Sequence, residues 1–393
     1  MKILWAKSDF LHPTTKGGHI RTLETLKRLH QRHEIHYVAL DLAEQPGGVE
    51  RSSEYCTKAY PIPHSAPARG SVKFWMQASA GLFSRLPLSV SRYRSAAMAR
   101  QIEALMRSEK FDSLVCDFLF PAPNIGDLSR WTLFQHNVEA MIWKRHSENA
   151  GDPVRRAYFE GQYRRMLAYE AEVCRSVRNI IAVSDSDAET MRSLYGVSRL
   201  AAVPTGVDVD YFRSRGGHPY LADMVFVGSM DWMPNIDAVL WFAAEILPLI
   251  RASHPEARLA VVGRRPAPEI ARLTEKDAHI QVTGTVDDIR PYLWGSSVAI
   301  IPLRIGGGTR LKIYEAMAAG IPVVSTTIGA EGLDYQAGID LCVGDTPTDF
   351  ASQCLAQLDD ADARRRIANA AFEKVSSRYS WEGVSQKFEE LLV

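Results

Sequence analysis

Cysteine is scarce, with five in 393 residues. Cys56, Cys116, Cys174, Cys342 and Cys354 form no CxxC pair and sit beside no histidines at metal-ligand spacing. That speaks against a disulfide-stapled scaffold or a zinc ribbon, and the thiols read as reduced core or surface residues of a cytoplasmic protein. An excess of either charge is missing as well. Lys plus Arg number 46 and Asp plus Glu number 46, which argues against a dedicated nucleic-acid partner. No apolar run approaches the ~18 residues needed to cross a bilayer, and Met1–Lys7 is too short a start for a signal peptide. The expected location is cytoplasmic, with at most a peripheral contact at the inner membrane face. No Asp-rich cluster ends a strand, so no metal site is expected; Asp208, Asp210 and the Asp287–Asp288 pair read as loop and cap residues. No Ser-His-Asp or Cys-His spacing suggests a covalent nucleophile. The absence of GxGxxG after the first strand speaks against a nicotinamide-dependent dehydrogenase.

What is present is length enough for two domains and short apolar runs alternating with helical stretches. Ile3–Lys7, His36–Leu40, Ser113–Cys116, Trp131–Phe134 and Ile180–Val183 are strand candidates in the first half. Helical spacing runs from His19 to about His30, from Val90 to Ser108 and from Arg155 to Arg178, while residues 45–72 read as loop. The second half offers Met224–Val227, Leu259–Val262, Ile280–Val282, Val298–Ile301 and Pro322–Ser325. Near-continuous apolar strands separated by helices imply parallel sheets covered on both faces. The expected fold is α/β, two Rossmann-like doubly wound domains, residues 1–212 and 213–375, with a C-terminal helix at about 376–393 packing back on the first. Ligands of such sheets bind at the carboxyl ends of strands, so a cleft between the two is the expected site.

The most informative stretch is Pro302–Ser325. Gly306, Gly307 and Gly308 clear side chains from where the backbone approaches a ligand. Thr309 suits an N-cap, and Gly320 with Pro322 suits a helix stop, predicting a helix from about Arg310 to Ala319. Arg310 and Lys312 are cations in the first turn, unfavourable at a positive helix end unless an anion binds there. Glu315, one turn on, suits a ribose diol. The competing reading is a flexible turn followed by a surface Lys312–Glu315 pair.

Together these residues resemble the donor-binding half of family 4 glycosyltransferases, which have the two-domain GT-B fold. The matching pieces are Phe226–Met230, Val261–Arg264, Val282–Val286, Pro302–Leu303, Gly308–Lys312, Glu315–Gly320, Pro322–Ser325 and Gly329–Leu333. Weaker matches in the first half are Gly17-Gly18-His19, His136–Asn137, Val183–Asp185 and Pro204–Asp208. The resemblance implies retaining transfer from a nucleotide-diphosphate sugar, with no cofactor and no metal, to a carbohydrate or lipid-linked acceptor in bacterial-type polysaccharide or glycolipid synthesis. It implies that Gly228, Gly263, Thr283, Gly284, Val286, Gly306–Gly308, Thr309, Arg310, Lys312 and Glu315 bind the donor. Gly17, Gly18 and His19 would form an acceptor or phosphate loop, and His136 would orient donor or acceptor at the sugar. A plain turn at Gly17–Gly18, a structural His136 and a purely capping Ser184 are the rival readings.

Two departures stand out. Relatives carry a pair of glutamates with seven residues between them; Glu315 matches the second, and Gly307 occupies the first position. Many also carry cations soon after the glycine that Gly228 matches, whereas Ser229–Asn235 holds none. Arg310 and Lys312, with Arg304 as a third candidate, are therefore expected to neutralise the leaving diphosphate. A basic stretch, Arg85, Arg92, Arg94, Arg100, Lys144, Arg145, Arg155, Arg156, Arg164 and Arg165, lies near Phe74, Trp75, Leu82, Phe83 and Leu86. It reads either as a membrane-facing patch for a lipid-linked acceptor or as a solvated helix face. Two other functions remain open: a nucleotide-sugar epimerase or hydrolase on the same architecture, and a non-catalytic nucleotide-sugar binder.

Overall fold

The computed structural model describes residues 1–14, 17–42, 47–64, 86–148, 150–214, 216–305 and 311–392. Gly306, Gly307, Gly308, Thr309 and Arg310 lie outside the described residues, as do Arg85, Phe74, Trp75, Leu82 and Phe83. The chain divides into two units, Met1–Pro204 with Val384–Val393, and Thr205–Gly383.

The first unit is built on a seven-stranded sheet in the order β3-β2-β1-β4-β5-β6-β7. Its strands are β1 (Lys2–Lys7), β2 (Glu34–Leu42), β3 (Lys58–His64), β4 (Ser113–Asp117), β5 (Thr132–Phe134), β6 (Asn179–Ala182) and β7 (Leu200–Ala202). Every pairing is parallel. Ile3, Leu4, Trp5 and Ala6 of β1 are all fully buried, as the near-continuous apolar pattern requires. β3 corrects the expected loop at 45–72. Its prolines, Pro61 and Pro63, stand two residues apart opposite Ala39 and Asp41. They therefore turn the same side of the strand, the side without a donor, away from β2, which an edge strand tolerates. The expected helix 90–108 is interrupted: Leu88–Ser91 ends early, and Ala96–Ser108 restarts where the Ser95 hydroxyl accepts from the Met98 amide.

The second unit repeats the plan with six parallel strands ordered β10-β9-β8-β11-β12-β13. They are β8 (Ala222–Val227), β9 (Leu259–Val262), β10 (Ile280–Val282), β11 (Ser296–Ile301), β12 (Val323–Ser325) and β13 (Cys342–Val343). The unit begins at Thr205, ahead of the expected linker. Asp208 caps a short helix, Val209–Phe212, by accepting from the Tyr211 amide, and Val209 and Phe212 sink into the second core. At the other end the helix Trp381–Glu390 carries the chain from the second unit into the first. There Phe388 packs on Trp5 and Phe134.

Among the described residues one helix, Met233–Arg251, is long and apolar enough by length and composition to span a membrane, against the expectation of no such run. Its Ala238, Val239, Trp241, Phe242, Ile246, Leu247 and Ile250 belong to the second core. All five cysteines are free and buried. Ser184 caps the helix Asp185–Tyr195 through the Asp187 amide, and Asp288 binds both the Arg290 amide and its guanidinium.

Candidate functional site

In each sheet the strand order reverses once, between β1 and β4 in the first and between β8 and β11 in the second. Such a reversal leaves a crevice at the carboxyl ends, where ligands of open parallel sheets bind.

In the first unit Lys7 ends β1, Asp117 ends β4 and His136 follows β5. The Asp117 carboxylate accepts four hydrogen bonds. Lys7 Nζ and His136 Nε2 donate to Oδ1, each at 2.8 Å. Trp5 Nε1, at 2.9 Å, and Thr22 Oγ1, at 2.8 Å, donate to Oδ2. Lys7, Asp117 and His136 are all buried. Burial alone would raise the Asp117 carboxyl, but Lys7 and His136 beside it hold it well below the usual carboxylate range. Burial drives His136 down to about 3 against the pull of Asp117, so the ring is neutral at pH 7. With Nε2–H given to Asp117, as the hydrogen-bond network assigns it, Nδ1 is left as an acceptor.

His136 Nδ1 has no hydrogen-bond partner among the described residues. A Cβ on Gly18 would stand 3.6 Å from that nitrogen and 3.2 Å from Phe118 Cε2. The glycine therefore leaves space beside the one unused atom of the ring. Phe118 stacks on His136 with centroids 4.3 Å apart and holds a φ of 75°, a strained value for a bulky residue that clusters at functional sites. Gly17 and Gly18 are not a loop, as expected, but the first turn of the helix Gly17–His30. His19 points its Nε2 at Asp9 Oδ2, 3.0 Å away. Arg21, fully buried, donates to the Val203 carbonyl and lies over the Phe134 ring. Burial lowers its pKa to about 9, Asp117 opposing. Beyond His136, the buried Glu170 accepts from Gln135 Nε2 at 2.7 Å and from the Ala140 amide at 2.9 Å. Burial raises Glu170 to about 7, its hydrogen bonds opposing, and raises Glu139 to about 7 with Glu170's charge adding.

In the second unit Gly228 follows β8. A Cβ there would come 2.7 Å from Asn235 Nδ2 and 3.1 Å from Lys312 Nζ. Lys312 donates to Asn235 Oδ1 at 2.8 Å and lies over the Phe226 ring. It thus sits at the reversal point beside Gly228, fixed by a side chain of another helix. The Glu315 carboxyl is pushed up to about 7 by burial, Lys312 pulling the other way, and takes no hydrogen bond among the described residues. Gly263, after β9, approaches the Gly228 carbonyl so closely that a Cβ would overlap it at 1.6 Å. Gly284, after β10, has a φ of 69°, and Thr283 Oγ1 donates to its carbonyl at 2.9 Å. Val286 packs against the core edge. The helix at Lys312 is described over Leu311–Ala318, and Gly320 closes it at φ 76°.

Arg304, the expected third cation, is committed to Asp237 at 2.6 Å. In its place the structure offers Arg264. Its Nε donates to Ser229 Oγ at 2.9 Å, which brings a cation to the Ser229–Asn235 segment from the next strand. Lys7, Asp117, Asn235 and Arg264 are the residues sequence reasoning missed. A charged residue closing an apolar strand, as in Ser113–Asp117, was the available signal.

Among the described residues one cluster has metal-ligand geometry: Glu34, His36 and Glu109. The Lys2 ammonium pairs with both glutamates and already supplies the cation. The Lys144–Glu148 and Arg164–Glu160 pairs neutralise part of the basic stretch, and Leu86 packs on the first core.

Residues 15–211 match Glycosyltransferase Family 4, and residues 222–360 match Glycosyl transferases group 1. The O-antigen chain mannosyltransferase B of Escherichia coli is 26% identical, with 97% of each chain covered. An uncharacterized 44.6 kDa protein in the cps region of Klebsiella pneumoniae is 22% identical, with 96% of each covered. Anabaena HepE, solved in complex with UDP and glucose, superposes with a TM-score of 0.66 at 14% identity, covering 100% of this chain and 99% of that one. The two parallel sheets are thus the domains of a GT-B fold, and this chain is a glycosyltransferase belonging to family 4.

Proposed function

We propose that the enzyme takes its sugar from a nucleoside-diphosphate donor without a metal ion and passes it, with retention, to an acceptor hydroxyl in polysaccharide or glycolipid synthesis. One observation carries this reading: a lysine ammonium held by Asn235 beside a glycine at the sheet's reversal point. Such a fixed cation suits a leaving diphosphate, whose charge grows as the glycosidic bond to phosphate breaks. Preorganised charge is the largest contribution a protein makes to that kind of step. Arg264 adds a second cation from the end of β9. Glu315, with no hydrogen bond among the described residues, is available to accept from ribose hydroxyls. Relatives support the donor class: one solved neighbour holds UDP and glucose, and an E. coli relative is named an O-antigen mannosyltransferase.

In the first unit neutral His136 offers Nδ1 to a sugar or acceptor hydroxyl over Gly18. Asp117 keeps that tautomer, so the ring accepts a hydrogen bond at Nδ1 and carries no proton there. The test is a transfer assay with nucleoside-diphosphate sugars and lipid-linked or oligosaccharide acceptors, run with and without EDTA, with the product anomer read by NMR. Acceptor-dependent transfer that survives EDTA and keeps the anomeric configuration is expected. Donor turnover that needs no acceptor would instead indicate an epimerase or hydrolase.

A further inference from the structure

The donor reading places ligand at the carboxyl ends of the second sheet. A separate pocket of about 290 Å³ opens at the opposite, amino ends of the same sheet. Ser296 and Ser297 begin β11 there, and Gly320–Pro322 lead into β12. The volume is close to the lower end for small-molecule sites.

Two of its polar groups lack ordinary partners. His218 stacks on Trp294, ring centroids 4.3 Å apart, and its Nε2 is buried without a hydrogen bond among the described residues. Arg364 is half-buried. One guanidinium nitrogen donates to the Gln357 carbonyl at 2.9 Å, and among the described residues the group forms no ion pair. Arg365 adds a second guanidinium, paired with Asp362, and Tyr220 stands exposed at the rim. A buried nitrogen left without a partner costs about 1–3 kcal/mol, and a half-buried guanidinium with an open donor face favours an oxyanion over water. Ile321, Pro322 and Ala368 make the remaining wall apolar.

We propose that this pocket binds a small molecule bearing a compact oxyanion, phosphoryl or carboxylate, gripped by Arg364 and His218. The apolar wall takes the body of the ligand. Lying at the far end of the strands from Gly228 and Lys312, the pocket is distinct from the proposed donor site, and its occupancy is independent of the donor reading.

The probes are inorganic phosphate, glucose 6-phosphate and glucuronate, titrated at matched ionic strength into protein labelled at histidine Cε1. The readout is the NMR signal of His218. Saturable movement of that signal is expected, and which probe moves it distinguishes a phosphoryl from a carboxylate ligand. Arg364→Gln, which keeps a donor for the Gln357 carbonyl, is expected to weaken the response about ten- to a hundredfold, the worth of a charged hydrogen bond. His218→Phe keeps the stack on Trp294; calorimetry on this variant should show a comparable loss. Lys312→Ala should leave the His218 response unchanged. A His218 signal that moves with no probe, or one whose response is the same in Arg364→Gln, would overturn the proposal.

Discussion

The two reversal points solve opposite problems. At the first, every oxygen of Asp117 is occupied: Lys7, His136, Trp5 and Thr22 all donate to it. Charge is balanced internally, and one ring atom, His136 Nδ1, is buried without a partner among the described residues. At the second, Gly228 and Gly263 remove side chains, Lys312 is tethered through a neutral asparagine, and Glu315 takes no hydrogen bond among the described residues. A buried, self-satisfied network fixes the geometry of a neutral contact. At the second crevice a half-buried cation is held in place through the amide oxygen of Asn235 and pulls on the raised Glu315 carboxyl.

That contrast is broken most severely by Asp117→Ala. Removing one partner of a buried ion pair strands the other, at about 3–5 kcal/mol, and chemical denaturation should show a loss of that size. Lys312→Ala removes a hydrogen bond to neutral Asn235 and a cation near Glu315, whose carboxyl burial already raises to about 7, so its loss of stability should be smaller; equal losses would erase the distinction between the two crevices.

Glu139→Gln sharpens the picture of the first unit. Burial raises the Glu139 carboxyl to about 7, so the folded state holds a proton that the unfolded chain has released. Stability from this group is present below the unfolded pKa and is lost as pH rises through about 7. The variant should therefore gain on the wild type across that window, by about 2 kcal/mol at pH 8. Denaturation midpoints at pH 5 and pH 8 that shift equally in both proteins would contradict it.

The smallest expected effect on stability is that of Gly18→Ala, under about 1 kcal/mol, because the close contact of the new methyl with the Phe118 ring edge is offset by the better helix propensity of Ala. Its effect on turnover should be larger, since the methyl fills the space beside His136 Nδ1. Steady-state kinetics should show transfer falling while the melting temperature barely moves. Unchanged transfer would remove His136 Nδ1 from substrate contact.

Most of the architecture was legible because parallel strands buried on both faces read as apolar runs: Leu259–Val262 and Ile280–Val282 have the predicted bounds. β3 was hidden by Pro61 and Pro63, which exclude a central strand but not an edge one. β13 is only two residues long, and β7, Leu200–Ala202, is half-buried throughout, so neither shows the apolar run of a covered strand. The glycines after β8 and β9 were readable, because close backbone approach tolerates nothing larger. Partners distant in sequence were not: Lys312 meets Asn235 across 77 residues and Lys7 meets Asp117 across 110, and no local spacing encodes either. Arg264 was read only as part of the Val261–Arg264 match, and its reach to Ser229, from a neighbouring strand, was hidden for the same reason.

The central claim is that the Lys312 ammonium beside Gly228 binds the diphosphate of the donor. Calorimetric titration of nucleoside diphosphates, in the presence of EDTA, into the wild type and Lys312→Ala tests it directly. A loss of about 1.5–3 kcal/mol in affinity, with the melting temperature of the unliganded protein preserved, is the expected result. Equal affinity in the two proteins would contradict the account.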